Sequence, residues 1–276
     1  MPSKILPGGQ ARNLDYPDTL ASEAAGIPIE DRDLQPVADH SHRKAELVQL
    51  ISGNLSIRSA DGIWTLPPGR ALWIPPGTSH ASQGSGAVVA RCVFFDPALI
   101  QGFPGHCHLV FVHPLLREII ERLVELGPGG APPSERERRL VAVLLDELVA
   151  ARTEPFHLPL PADKRLRTIV DRLLKDPASP LSIEDWSREV GASARTLGRL
   201  FQREVGMPLG KWRQQLHVQV ALRELGRGVP VTAIAFDLGY ESASAFITMF
   251  KRNTGQTPGS WFPAGPACID RPVDKD

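Results

Sequence analysis

The feature that most constrains this chain is a repeat near its C-terminus. Ile183, Trp186, Val190-Gly191, Leu197, Leu200-Phe201 and Gly206 recur as Val231, Ile234, Leu238-Gly239, Phe246, Met249-Phe250 and Gly255. Gly191 maps to Gly239 with a shift of 48 residues, whereas Phe201 maps to Phe250 and Gly206 to Gly255 with a shift of 49. The turn is therefore one residue longer in the second copy. Two copies of one short motif require one structural reading. Apolar residues at i, i+3 and i+4 on either side of a glycine give helix, tight turn, helix.

Local signals agree with this. Ser182 suits the N-cap of a helix ending at Val190, with Glu184 and Asp185 near its positive end. Gly191 supplies the positive φ of a sharp turn, and Ser193 caps a second helix whose apolar face is Leu197, Leu200 and Phe201. Its polar remainder, Arg195, Thr196, Arg199, Gln202 and Arg203, faces away from that core, as in a helix that enters a DNA major groove. Charge is distributed to match. The chain is neutral overall, yet residues 163–262 hold 15 Lys and Arg against 10 Asp and Glu. A basic domain suits a polyanion. Trp186, Trp212 and Trp261 read as core residues.

From Ser182 to Trp261 the chain resembles the double helix-turn-helix domain of AraC/XylS transcriptional regulators. The resemblance is carried by Gly191-Ala192-Ser193-Ala194-Arg195-Thr196-Leu197 with Arg199-Leu200-Phe201, and by Glu204-Val205-Gly206-Met207-Pro208. It continues through Ile234-Ala235, Leu238-Gly239-Tyr240, Phe246 and Phe250-Lys251-Arg252 to Gly255-Gln256-Thr257-Pro258. It implies two recognition helices held by a long linking helix, about Leu209 to Leu225, and spaced for successive major-groove turns roughly 34 Å apart. Matching positions make Arg195 and Arg199 base readers in the first helix, with Ser193 and Thr196 beside them. Ser244, Ala245 and Thr248 take that place in the second helix, and Arg203, Lys251 and Arg252 suit phosphates. Gly198 stands where the family often has a reading side chain.

Upstream the periodicity changes. Leu47-Val48-Gln49-Leu50-Ile51, Leu55-Ser56-Ile57, Ala71-Leu72-Trp73-Ile74 and Val88 to Phe95 are β-rich runs between turn signals such as Ser52-Gly53-Asn54 and Pro75-Pro76-Gly77. They predict an all-β sandwich or barrel over about 30–100. Two helical stripes follow within about 113–152. Leu115, Leu116, Ile119, Ile120, Leu123 and Val124 come after Pro114; Leu140, Val141, Leu144, Leu145 and Leu148 come after a capping box of Ser134 and Glu137. The expected organisation is α+β. A sensor and dimerisation domain occupies 1–154, a proline-rich linker 155–162, an all-α DNA-binding domain 163–262 and a tail 263–276. Residues 1–28 show no sustained periodicity and read as an arm.

The β-rich region carries a second pattern. His40-x-His42 precedes Glu46 and Gly53, and Gly69, Pro75, Gly77 and His80 follow. These spacings resemble the two motifs of cupin proteins. The resemblance implies a cupin β-barrel in which His40, His42, Glu46 and His80 point inward and hold one divalent transition metal. Imidazole and carboxylate suit Ni, Zn, Fe, Mn or Cu. The other reading of the same four residues is a polar pocket for an organic ligand. His40 and His42, two apart on a strand, face one side. Leu34 replaces the Gly that opens the first motif, and Gly84 the Asn that ends the second. His106-Cys107-His108 is a further cluster, read as alternation at a strand end.

These features predict a sequence-specific DNA-binding regulator that responds to a small-molecule or metal effector. It is not expected to be an enzyme, since the sequence offers no acid–base set beyond the four ligand residues. A constitutive DNA binder with a purely dimerising barrel, and a metal-dependent cupin enzyme, are the alternatives. The expected partners are an operator duplex, the effector, RNA polymerase and a second copy of the chain. No apolar run reaches the roughly 20 residues that span a bilayer. The first ten residues lack an apolar signal-peptide core, and Cys92, Cys107 and Cys268 form no disulfide framework. A cytoplasmic protein is expected.

Overall fold

Alternation along β3 and β8 organises the N-terminal half. The computed structural model describes residues 16–32, 34–84, 87–128, 133–154 and 157–261. In chain order, its first part comprises α1 (Tyr16–Thr19), β1 (Ala24–Asp31), β2 (Val37–His40), β3 (Ala45–Ser52), β4 (Leu55–Ser59), β5 (Gly62–Leu66), β6 (Arg70–Ile74) and β7 (His80–Gly84). Next come β8 (Val88–Phe95), β9 (His108–Phe111), α2 (Pro114–Leu126), α3 (Glu135–Ala150), β10 (Thr153–Glu154) and β11 (His157–Pro159). One sheet has the order β1-β8-β3-β6-β9-β10 and the other β11-β5-β4-β7-β2. Val48, Leu50, Leu72, Cys92 and Phe94 point into the space between the sheets, against Leu55, Ile57 and Trp64. Their neighbours Leu47, Ala71, Trp73, Val93 and Phe95 face outward, under Leu116, Ile120 and Leu123 of α2 and Leu144 and Leu148 of α3. Both faces of the first sheet are buried, so its central strands read as continuous apolar runs. The covering helix lies very close: a Cβ on Gly26 would fall 2.4 Å from the backbone N of Val124.

Helix starts follow the expected chemistry. Pro114 opens α2 behind the N-cap His113, and Ser134 with Glu137 forms a complete capping box at α3. Two segments differ from expectation. Residues 24–28, expected in the arm, belong to β1, which pairs antiparallel with β8 from Ala24↔Phe95 to Asp31↔Val88. Within 155–162, expected as a linker, His157–Pro159 form β11 against β5. Both strands lie at a sheet edge, where the missing N–H of Pro28 or Pro159 costs no central ladder bond. Proline therefore hid both strands from the sequence.

The C-terminal half is helical: α4 (Lys164–Lys175), α5 (Ile183–Val190), α6 (Ala194–Val205), α7 (Leu209–Gly226), α8 (Val231–Asp237), α9 (Ala243–Thr254) and α10 (Pro258–Trp261). Leu166, Ile169, Trp186, Leu197, Phe201, Trp212 and Leu216 form one core; Val218, Ala221, Leu222, Ile234, Phe246 and Phe250 form another. The buried positions of Trp186 and Trp212 agree with the sequence, whereas the side chain of Trp261 lies outside the described residues. The halves share parts. Leu158 of β11 belongs to the first helical core. Trp212 donates its indole N–H to the Pro159 carbonyl at 2.7 Å, and the Thr65 backbone N–H reaches Gln219 Oε1 on α7 at 3.0 Å.

Candidate effector and DNA-reading sites

The four expected ligand residues converge between the sheets. His40 ends β2, Glu46 lies on β3 and His80 opens β7. His42 is not on a strand; it follows β2 in an extended connection, so the loop rather than strand alternation turns it toward His40. Gly77 explains part of that path. Its φ of +70° makes the turn after β6, and its N–H donates to the His42 carbonyl at 2.8 Å. The ring centroids of His40 and His80 are 4.3 Å apart, and those of His42 and His80 5.2 Å. The ligating atoms of His40, His42 and His80 all lie within 4.8 Å of one another. His42, Glu46 and His80 are 4%, 8% and 3% exposed.

Hydrogen bonding sets the tautomers. His40 Nδ1 lies 3.0 Å from the Ala38 carbonyl, His42 Nδ1 2.7 Å from that of Lys44, and His80 Nδ1 2.9 Å from that of Thr78. A carbonyl only accepts, so each Nδ1 carries a proton, and Nε2 is the nitrogen left to meet a cation or to hold a second proton. Glu46 Oε2 stands 3.2 Å from His42 Nε2 and 3.4 Å from His80 Nε2. Lone pairs facing a carboxylate require a cation between them, either a proton or a metal. Electrostatics point the same way. Burial pushes the Glu46 carboxyl up, but the partnership with the His42 and His80 rings, which a proton or cation between them supplies, outweighs it and holds the group well below the usual carboxylate range. Burial lowers His40, while at His80 the partnership with Glu46 outweighs burial and raises the imidazole.

The two departures from the cupin pattern touch each other. A Cβ on Gly84 would lie 2.8 Å from Leu34 Cδ2. Leucine at the first position fills the space that a side chain at the second would need. The sequence also gave no reason to single out Cys92, whose buried thiol is pushed up by burial and by the neighbouring Glu46 charge. His106 and His108 sit at 5.5 Å between centroids, with His108 opening β9. They do not join the three-histidine group.

The repeat folds as two helix-turn-helix units, α5–α6 and α8–α9. Ser182 and Asp185 form a capping box on α5, Gly191 ends it at φ +66°, and Ser193 caps α6. In the second unit Gly239 has φ +79° and Ser242 caps α9, which accounts for the extra residue in the turn. Arg195 and Arg199 are exposed on α6, and neither has an ion-pair or hydrogen-bond partner among the described residues. Ser193 Oγ accepts the Thr196 N–H and lies 2.9 Å from the Thr196 hydroxyl, so both residues shape the helix start. Arg203 is exposed but pairs with Glu204 at 3.3 Å. Ser244, Ala245, Thr248, Lys251 and Arg252 are exposed on α9; the Thr248 hydroxyl donates to the Ser244 carbonyl. Gly198 presents only backbone, with Ile183 Cδ1 3.9 Å from where its Cβ would be.

A two-sheet barrel with a convergent polar centre, welded to paired helix-turn-helix units, defines a ligand-binding transcriptional regulator. The comparisons with known proteins agree. The AraC-like ligand binding domain matches residues 25–151, and a helix-turn-helix domain matches residues 186–263. The HTH-type transcriptional regulator NimR of Escherichia coli is 35% identical over 223 residues, covering 80% of this chain and 81% of NimR. The HTH-type transcriptional activator RhaR of Salmonella arizonae is 25% identical over 270 residues, covering 88% and 94%. A crystal structure of ToxT from Vibrio cholerae covers 87% of this chain and 97% of its own at 10% identity and a TM-score of 0.37, too distant to bear on the site. The chain belongs to the AraC/XylS family of transcriptional regulators. Among the described residues no helix is long and apolar enough to cross a membrane.

Proposed function

We propose that this regulator responds to a divalent transition metal held by His40, His42 and His80 with Glu46, and that it reads operator DNA through α6 and α9. One observation carries the metal reading: each imidazole gives its Nδ1–H to a backbone carbonyl, which leaves Nε2 as the donor atom, and one ring nitrogen of each residue lies within 4.8 Å of the others. Ligating histidines are commonly oriented in this way. The nitrogen and oxygen donors suit Ni, Zn, Fe, Mn or Cu. A bound cation would supply the positive charge that the Nε2 lone pairs and the Glu46 carboxylate lack. It changes DNA affinity only as far as it binds one arrangement of the protein more tightly than another.

On the DNA side, Arg195 and Arg199 read base edges, and Ser193, Thr196, Ser244, Ala245 and Thr248 line the same approach. Arg203, Lys251 and Arg252 take phosphates. The working assembly is a homodimer, supported by Val143 and Val149, which α3 leaves 43% and 71% exposed. RNA polymerase is a further partner, the setting is the cytoplasm, and the barrel is a sensor rather than an enzyme.

The test is elemental analysis of untagged protein, alongside binding to a duplex that the protein enriches from a randomised library, with and without chelator. Near-stoichiometric metal whose removal shifts DNA affinity is expected, with both effects lost in His42→Ala. Metal-free protein with unchanged affinity would leave the centre as an organic-ligand pocket or the barrel as a dimer scaffold.

A further inference from the structure

The two helix-turn-helix units have separate cores, and α7 serves both: Leu209, Trp212 and Leu216 enter the first, Val218, Ala221 and Leu222 the second. Units joined by one helix alone keep freedom to rotate about it. A second attachment removes that freedom, and it runs through a polar node on α7.

His217 is buried among these helices. Its Nε2 lies 3.0 Å from the Pro177 carbonyl in the segment that leads from α4 to α5, and its Nδ1 lies 2.8 Å from the Tyr240 hydroxyl. The carbonyl only accepts, so Nε2 carries the proton and Nδ1 accepts from Tyr240. Burial favours this neutral form by lowering the imidazole below its ordinary value. One turn earlier on α7, Arg213 donates to the Leu181 carbonyl at 3.0 Å and to that of Ser179. Ser182, which caps α5, follows directly. On the other side, Tyr240 is in the turn of the second unit, and its ring meets Phe246 of α9 at 5.5 Å, edge to face. The two units also approach at Gly239, where a Cβ would lie 3.6 Å from the Ala178 carbonyl. One imidazole thus ties the lead-in of the first unit to the reading helix of the second.

We propose that the His217–Tyr240 pair is the positioning node that fixes α6 relative to α9 and so sets the operator spacing this regulator accepts. The inference rests on the reading that both helices enter DNA. Half-sites one helical turn apart demand a rigid reader, because an inserted base pair both shifts and rotates one half-site.

The test uses the full chain, a duplex enriched by the wild-type protein from a randomised library, and derivatives with one or two base pairs inserted between the two protected segments. The wild type is expected to lose more than about ten-fold in affinity on insertion. Tyr240→Phe keeps the ring and loses the hydroxyl, so binding to the parent duplex should fall about two- to ten-fold, and the insertion penalty should shrink by about three-fold or more. His217→Gln should act in the same direction, and carries the test if Tyr240→Phe fails to fold. An unchanged insertion penalty in Tyr240→Phe and His217→Gln, with a spacing-sensitive wild type, overturns the node alone. A wild type indifferent to insertion overturns the two-helix reading and the node with it.

Discussion

Leu158→Ala tests how the two halves of the protein are joined. Leu158 is 1% exposed and belongs to the core that contains Leu166, Trp212 and Leu216, although its own strand is hydrogen-bonded to β5 of the barrel. Truncating a fully buried leucine removes its transfer free energy and leaves a cavity that neighbours refill only in part, at a cost of about 2–5 kcal/mol. The same change in a solvated linker would cost less than about 0.5 kcal/mol. Urea unfolding followed by far-UV circular dichroism separates these outcomes. With an m-value of about 2–3 kcal/mol/M, the midpoint should fall by about 0.7–2.5 M. Tryptophan fluorescence should report the loss too, since Trp212 belongs to the same core. A midpoint within error of wild type would refute the account of Leu158 as a shared core residue and return 155–162 to a linker.

Three further outcomes are expected. Arg199→Ala should cost about 1–3 kcal/mol of binding and relax preference at one base pair; competition binding with single-position variants of the selected duplex would expose an error if preference stays intact. Gly84→Asn, which restores the usual cupin residue, forces a Cβ to within 2.8 Å of Leu34 and should destabilise by about 1–3 kcal/mol. Leu34→Gly in the same chain should recover part of that loss, and strictly additive melting shifts would sink the idea that the two positions compensate. Burial, with Arg213 nearby, lowers the pKa of His217 from its ordinary value of 6.5. The unfolded chain then takes up a proton that the fold resists, so this contribution is complete above pH 6.5 and is lost as pH falls from there through the folded-state value. Unfolding midpoints of His217→Gln should therefore drop less than wild type between about pH 7 and 5, and equal drops would count against it.

Much of the fold could be read from local chemistry. The caps at Ser134, Ser182 and Ser193, and the positive-φ glycines at 191 and 239, act within a few residues of themselves. Their meaning does not depend on the rest of the chain. The repeat added a constraint that single motifs lack. What escaped sequence reading depends on partners far away in the chain. Pro28 and Pro159 argue against strands until their edge positions are known. Leu34 and Gly84 look like two separate losses from a motif until their contact is seen. His217, Gln219 and Tyr240 interrupt apolar stripes and acquire a role only through Pro177 and Thr65. The four residues of the polar centre were identifiable as a set, but the reason His42 joins them is the turn at Gly77.

His40 on β2 and the DNA-binding half behind β11 stand at opposite edges of one five-stranded sheet. Four inter-strand gaps separate them, about 19 Å at the usual spacing. A signal along this route would have to cross the strands, and twist is the quantity a sheet can change in that direction. If closure around an effector altered the angle between neighbouring strands by about 2°, a small part of the usual 20–25°, four gaps would accumulate about 8°. The 18 residues of α7 form a lever about 27 Å long. Rotated by that amount, its far end would move by about 4 Å, slightly more than the roughly 3.4 Å rise of one base pair.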